Sequence, residues 1–535
     1  MRMALEDLFS IPLSQSGLIS PIAADYCRDD PFFYPLRSTS PIKPDFEALM
    51  AKHRMFDAKK REVLVDVLKK QYADSGILNS ATEATIAKLL KPDTYTVTTG
   101  QQVGILLGPL YTPLKILSAV ALCSDLKKKY TDRDFIPVFW MASEDHDIDE
   151  IRSFIIQGKK YTCPIQYYGP AGRMPCAAVL DWLHQTDVFS IIPNWRQLLT
   201  DAYSLPTLAL ATRYLVHQLF GQFGLLCVDA DDAQLKLSFA SIMEDDIFNE
   251  GSYAFSRPAI EIIEHRYPVQ LQGRNINFFY LNDTYRERIE KDARGFKTAD
   301  QRFIWDSDAL KKEIQSYPER FSPNALMRPV YQEFILPNIA TFGGAAEIAY
   351  WLELKSVMEH YSVAFPALLL RNSAVLLDGA SFHRLENSGF TWADLLLPLI
   401  NLERRKLFDE SNGMLNLSDD LEAFDTLFTQ IVQKATLVNQ PTQRSATSMQ
   451  VRMKKQLDNF QKKLIREARK KESIGLNQIR SVYQTIFPNG ALNERSESLF
   501  SFMSSEHSAL LKALLAAMSP TGNLLIMCKW NDHLS

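Results

Sequence analysis

The chain has 535 residues, 46% of them hydrophobic and 23% charged, and a formal net charge of −4. That length exceeds what one core usually fills, so two or three structural units are expected, and the small net charge excludes whole-surface attraction to nucleic acid. The six cysteines show no Cys-x-x-Cys spacing, which excludes a disulfide framework or a thiolate zinc site and points to a reduced, cytoplasmic setting.

Met1–Leu8 lacks the apolar run of a secretory signal, and no stretch reaches the ~20 apolar residues of a membrane span. Residues 1–45 carry prolines at 12, 21, 31, 35, 41 and 44, which predicts an extended arm pinned by Phe32-Phe33-Tyr34. Two helices follow over 45–91. The first uses Phe46, Leu49, Met50 and Phe56; the second is capped by Asn79-Ser80 and runs to about Leu90. Residues 1–91 are therefore read as an N-terminal arm and helices packing on a core.

That core is read as 92–390, an α/β unit with a parallel sheet and insertions at about 151–215 and 240–320. Its organising stretch is Thr94–Asp149. Thr94–Thr99 reads as a strand, Ile105–Leu126 as a helix, and Phe135–Met141 as a strand buried on both faces. This βαβ unit empties into Gly100-Gln101-Gln102-Val-Gly104 through Gly108 after its first strand. After its second strand it empties into Glu144-Asp145-His146-Asp147-Ile-Asp149-Glu150. Ligands bind at that edge of a parallel sheet. Three further strands, ending near Asp229, Gly343 and Arg371, are expected to converge there.

The Gly-Gln-Gln turn is neither a Walker loop nor Gly-x-Gly-x-x-Gly. Its glycines permit close backbone approach, and Gln101 and Gln102 offer donors and acceptors. Tyr111 and Lys115 share a helix face one turn later, where Lys115 reaches towards a phosphate. The acidic cluster suits Mg²⁺ or a substrate ammonium, with His146 for acid/base work; a solvated acidic loop is the plainer reading. Asp229 and Asp231 read equally as caps of the next helix. Gly343-Gly344 before a helix containing Glu347 and Tyr350 suits an anion or nucleotide, and Arg371 suits a carboxylate, a phosphate or a salt bridge.

Beyond residue 390 the composition changes. Ser418 is placed as an N-cap, and Leu417, Leu421, Phe424, Leu427 and Ile431 form a helical seam. A loop is expected over 439–448. Met453, Leu457, Phe460, Leu464 and Ala468 then form a second, basic helix. Residues 391–490 are thus an α-helical coiled-coil hairpin, too narrow to stand alone, which predicts a homodimer. Few aromatics interleave with the basic residues, so nucleic acid is not the expected partner. The tail, 491–535, reads as one helix and a strand at Asn523–Cys528.

Several long motifs carry a family resemblance. They are Thr99-Gly-Gln-Gln with Gly108-Pro-Leu-Tyr111 and Lys115, Pro137-Val-Phe-Trp-Met-Ala-Ser-Glu-Asp-His-Asp147, Ser322-Pro-Asn324-Ala-Leu-Met-Arg328-Pro and Gly343-Gly-Ala-Ala-Glu347-Ile-Ala-Tyr350-Trp351. In this order they resemble the bacillithiol-biosynthesis cysteine-adding enzymes, the BshC-type cysteine ligases. The resemblance implies a Rossmann-like core with connecting-peptide insertions, related to class I aminoacyl-tRNA synthetases, and a coiled coil that dimerises. It implies amide formation between L-cysteine and the amine of glucosaminyl-malate, the last step to bacillithiol, with ATP or another nucleotide and Mg²⁺.

On that reading Lys115, Asp145, His146 and Asp147 form the catalytic group. Gly100, Gln101, Gln102, Gly104, Gly108, Tyr111, Glu144, Asn324, Arg328, Gly343, Gly344, Glu347, Tyr350 and Arg371 bind substrate or nucleotide, and no residue is assigned to a resident metal. The His-containing and Lys-Ser signatures of the synthetases are not found. That motivates an alternative, a dimeric binding or scaffold module of the same pathway. A metal-dependent hydrolase is a third reading and rests on the acidic cluster alone.

Overall fold

The computed structural model describes residues 5–530 other than 54–55, 272, 411–416, 472 and 504–506. Residues 1–4 of the N-terminal stretch and the end of the tail beyond 530 lie outside the described residues. The chain divides into two units, Met1–Leu376 with Asn493–Ser535, and Leu377–Leu492.

In the first unit a central sheet is built from Thr94–Gln102 (β1), Asp134–Ala142 (β2), Leu226–Asp229 (β3), Asn338–Gly343 (β4) and Ala367–Leu370 (β5). All neighbours are parallel, in the order β5-β4-β1-β2-β3. The chain steps outward from β1 to β3, returns to the other side of β1 at β4, and steps outward again. The direction of winding therefore reverses between β1 and β4, which is the Rossmann-like, doubly wound arrangement expected. β1 is buried over its first seven residues, as its β-branched composition and a sheet covered on both faces require.

The helix after β1 is Tyr111–Lys129 (α1), which starts six residues later than its apolar pattern suggests. The delay is a tight turn in which Leu106, Leu107 and Gly108 all have positive φ, at 53°, 61° and 67°. A Cβ on Gly104 would sit 3.1 Å from the Gly108 nitrogen, so this glycine serves the turn's own closure.

The first insertion begins with a hairpin, Ser153–Ile156 and Lys159–Thr162, and continues through helices Ala177–Gln185, Arg196–Tyr203 and Leu208–Phe220. It shares one apolar core with α1, through Leu183, Trp195 and Leu215 against Leu114 and Leu117. The second insertion has helices Ala233–Asn249 and Gly251–Glu264, then an antiparallel sheet. That sheet runs Ile304–Trp305, Gly295–Thr298, Tyr285–Asp292, Phe278–Asn282 and Phe321–Pro323. Only the strand near Phe278 is legible in sequence; Tyr285–Asp292 reads Tyr-Arg-Glu-Arg-Ile-Glu-Lys-Asp, whose charges hide its alternation.

The predicted first helix of 45–91 is two, Phe46–Lys52 and Ala58–Asp74; Asn79 does cap the next, accepting from the Thr82 N–H at 3.0 Å. Phe33 is fully buried and stacks on Tyr267, while Tyr34 is exposed. The arm is more than extended chain, because Leu5–Pro12 pairs antiparallel with the terminal strand Leu524–Trp530.

The second unit contains Gly379–Ser388, Leu399–Glu410, Ser418–Thr436, Gln440–Lys471 and Ser473–Ile486. The expected loop over 439–448 is helical from Gln440. Asn439 caps it by accepting from the Thr442 N–H at 2.9 Å, and Pro441 sits in the first turn, where its missing N–H costs nothing. Ser418 lies inside its helix without acting as the cap. Phe424 and Phe428 pack at 4.5 Å between centroids, and Asp425 pairs with Lys454 across the hairpin. Among the described residues no helix is long and apolar enough to cross a membrane.

Candidate active site

A cavity of about 690 Å³ opens at the carboxyl ends of β1 and β4, where the winding reverses. Gly100, Gln101, Gln102, Tyr111 and Lys115 line it from the β1–α1 side, and Glu144 and Asp145 from the turn after β2. Asn324, Arg328, Gly344, Glu347, Tyr350 and Arg371 complete the predicted residues that it brings together. Gly104, Gly108, Gly343, His146 and Asp147 are not in its lining. The first two close the turn after β1, and Asp147 caps the short helix Ile148–Ile151.

Lys115 is no free phosphate ligand. The residue is 3% exposed, and its ammonium bonds Gly100 O at 3.0 Å, Gln101 Oε1 at 2.8 Å and Glu347 Oε2 at 2.5 Å. Burial pulls the Lys115 pKa down. Burial would raise Glu347, but Lys115 and the Gly344 N–H hold it below its usual value. The Gly344 amide, expected to meet an anion, is thus already bonded to Glu347 at 2.8 Å. Gln101 also donates to the Tyr111 hydroxyl at 3.0 Å, and Gln102 donates to Asp145 Oδ2 at 2.6 Å.

The acidic cluster disperses instead of converging. Asp149 pairs with Arg152 at the surface. Asp145 accepts from Gln102 and the His146 N–H. Burial alone would raise its carboxyl, but the His146 and Gln102 side chains, the Arg286 charge and the Asp147 N–H hold it well below the usual range. The His146 ring is 44% exposed, and its Nδ1 lies 3.1 Å from Arg286 Nη1, so the ring, itself outside the lining, sits behind a guanidinium that lines the cavity.

Glu144 turns inward to Lys236, whose Nζ is 2.6 Å from Oε1 as a charge contact without hydrogen-bond angles. Burial pushes the Glu144 carboxyl up in spite of Lys236. Lys236 also bonds Asp231 at 2.7 Å, and Arg173 forks onto both Asp231 oxygens at 2.6 and 2.9 Å. Asp231 is therefore an ion-pair partner, and the cap of the following helix is Asp232. Asp229 accepts from Ser143 beneath the cavity. The turn itself is braced by the loop before Met174. Gly172 donates to Ser143 O at 2.7 Å, and a Cβ on Gly172 would fall 2.4 Å from that of Ser143. Among the described residues no three His, Cys, Asp or Glu side chains group as a metal site, which leaves the hydrolase reading without its cluster.

Sequence reasoning missed Arg274, Arg286 and Arg495, all in the lining. Arg286 packs its guanidinium 3.9 Å from the Phe279 ring centroid on the unforeseen antiparallel sheet. Arg495 arrives from the tail, where Leu110 N–H donates to Glu497 O at 2.7 Å and Arg371 forks onto buried Glu494 at 2.7 and 3.1 Å. Arg371 thus takes the salt-bridge role. The lining holds six cations and three carboxylates, and each carboxylate already faces a lysine or arginine. Among the described residues Arg274, Arg328 and Arg495 have no carboxylate partner, so three guanidinium charges are left for a ligand. The cavity fits an anionic, polar molecule.

Two family models cover the chain. Residues 7–372 match the bacillithiol biosynthesis BshC N-terminal Rossmann-like domain, and residues 374–529 match the BshC C-terminal coiled-coil domain. The chain is 36% identical to a protein of Cytophaga hutchinsonii named "Putative cysteine ligase BshC", over 97% of this chain and 98% of that one. A protein of the same name from Flavobacterium johnsoniae is 33% identical, over 95% and 97%. One from Chlorobaculum tepidum is 27% identical, over 85% and 86%.

Proposed function

This chain belongs to the BshC family of bacillithiol biosynthesis, and we propose that it is a ligase joining L-cysteine to the amine of glucosaminyl-malate, the last step to bacillithiol. The observation that carries this reading is the charge pattern of the cavity. Three guanidiniums without a carboxylate partner among the described residues share the lining with Glu144 and Asp145, so one cavity can take a carboxylate or phosphate together with an amine. Such a ligand set matches a malyl amino sugar with an activated cysteine.

An amide forms when the amine attacks an activated cysteine carboxyl. The new C–N bond replaces the C–O bond to the leaving group, and one amine proton must be accepted. Glu144 is assigned that proton, because burial has raised its carboxyl while Asp145 is held ionised and weakly basic. A nucleotide, when bound, supplies activation of the carboxyl. Its phosphates suit Arg274, Arg328 and Arg495, with Gly100 offering bare backbone beside Arg328. Magnesium would arrive on those phosphates, since the site's own carboxylates are paired.

A homodimer through the hairpin is supported by Leu427, Ile431 and Phe460, which are exposed in one copy although they lie in the apolar seam pattern. The deciding experiment incubates purified protein with cysteine, glucosaminyl-malate, Mg²⁺ and a panel of nucleoside triphosphates, and follows bacillithiol by mass spectrometry. No product with any of them sinks the ligase reading and leaves the scaffold module.

A further inference from the structure

We propose that Gln332 is a positioning residue that keeps Arg328 in the cavity as a guanidinium without a carboxylate partner, reserved for an anionic group of the substrate or nucleotide. The identity of that anion rests on the ligase reading; the device itself rests on the geometry that follows.

Arg328 and Gln332 lie four apart on helix Met327–Ile335 (α2), so they share a face. Asn324 starts this helix by accepting from the N–H groups of Leu326 and Met327 at 2.9 and 3.1 Å, which fixes where Arg328 enters the cavity. Gln332 is fully buried. Its Nε2 donates to Glu333 Oε1 at 2.8 Å and Thr341 Oγ1 at 3.2 Å. With both donors engaged, Oε1 is left to face Arg328 Nη1, at 3.1 Å. The amide cannot flip without setting donor against donor.

A carboxylate lies one residue away. Glu333 is 2% exposed, yet every bond it receives is from a neutral donor: Gln332, Asn338 Nδ2 at 2.8 and 3.0 Å, and Thr341 Oγ1 at 3.1 Å. Burial pushes its acid up to about 8, with the Arg328 charge only a minor opposing cause, so at neutral pH it is mostly protonated and is a weak counter-ion for the guanidinium. An amide oxygen orients Arg328 without cancelling its charge. The Tyr350 hydroxyl, accepting at 3.4 Å, adds a second neutral anchor. This contrasts with Arg371, whose charge is absorbed by Glu494.

The test measures calorimetric affinity of the full chain for glucosaminyl-malate and for ATP with Mg²⁺, beside steady-state KM and kcat. Gln332→Glu supplies an internal counter-ion, and affinity for at least one anion should fall about ten-fold or more, with a rise in the matching KM and kcat within about three-fold. Tyr350→Phe, which removes only the second anchor near the surface of the cavity, should weaken the same anion about three-fold. It decides the matter if Gln332→Glu does not fold. Folded Gln332→Glu or Tyr350→Phe protein with unchanged affinities overturns the proposal, as does wild-type protein that binds neither anion. Anion binding that responds to both variants without bacillithiol formation supports it while sinking the ligase reading.

Discussion

Lys115 and Glu347 form a salt bridge across the point where the sheet reverses, joining the helix after β1 to the helix after β4, Ala345–Trp351 (α3). Lys115 is buried and also holds the Gly100–Gln101 turn, so this pair sets the distance between the cavity's two walls. Removing one partner strands the other charge in a low-dielectric site. Lys115→Met should cost about 3–5 kcal/mol of core stability in a denaturant titration, and Lys115→Met with Glu347→Leu should recover most of it. Equal destabilisation by the single and double variants would show that packing, and not charge, is what the pair provides.

The Lys236 ammonium ties Glu144 to Asp231 and gives a pH prediction with a definite sign. Burial raises Glu144, and the positive charge of Lys236 opposes that rise. In Lys236→Met the opposition disappears, so Glu144 must hold its proton to higher pH. If Glu144 is the base, the acidic limb of the kcat/KM profile moves to higher pH. Burial also acts on Asp231, but Lys236 and Arg173 bring it down to about 2. A depressed carboxyl stabilises above its ordinary value of 3.8, and that contribution is lost as pH falls through about 2. Wild-type protein should therefore lose stability between those values, and Lys236→Met should lose less there, having less to lose.

His146 is the natural choice for acid/base work from sequence, but its ring is not in the cavity lining and lies against Arg286, which is. His146→Ala should keep kcat/KM within about ten-fold of wild type, whereas Arg328→Ala should lose about a hundred-fold or more through the anion it binds. A loss above a thousand-fold in His146→Ala would return the imidazole to the chemistry.

The contrast between these residues shows what a sequence can carry. β1, β2 and the polar turns after them were legible because a strand buried on both faces writes a continuous apolar run, and the residues after it are free to be polar. Thirteen lining residues followed from that one rule together with the family motifs. Whether a side chain is free was not legible. Lys115 and Arg371 look alike with Arg328 in sequence, yet Glu347 and Glu494, each more than a hundred residues away, neutralise the first two. Arg286 was hidden because its strand alternates charge with charge, and Arg495 because the tail returns to the β1 turn by backbone bonds that leave no side-chain pattern.

Glu353 offers the last test, on the loop that carries Leu271 and Arg274 into the cavity. Its Oε1 accepts from the N–H groups of Gln270 and Leu271, both at 3.3 Å, while its buried Oε2 has no hydrogen-bond partner among the described residues. Burial raises this acid from 4.5 to about 7, and the two backbone bonds only partly oppose it. A raised carboxyl contributes its stability below the unfolded value and loses it as pH rises through the folded one. Wild-type melting temperature should therefore fall from about pH 4.5 to about pH 7 by more than that of Glu353→Gln, which keeps the Oε1 acceptor and never ionises. Parallel melting curves for the two proteins would mean that the carboxyl is solvated enough to ionise freely, and that the loop does not respond to pH through Glu353.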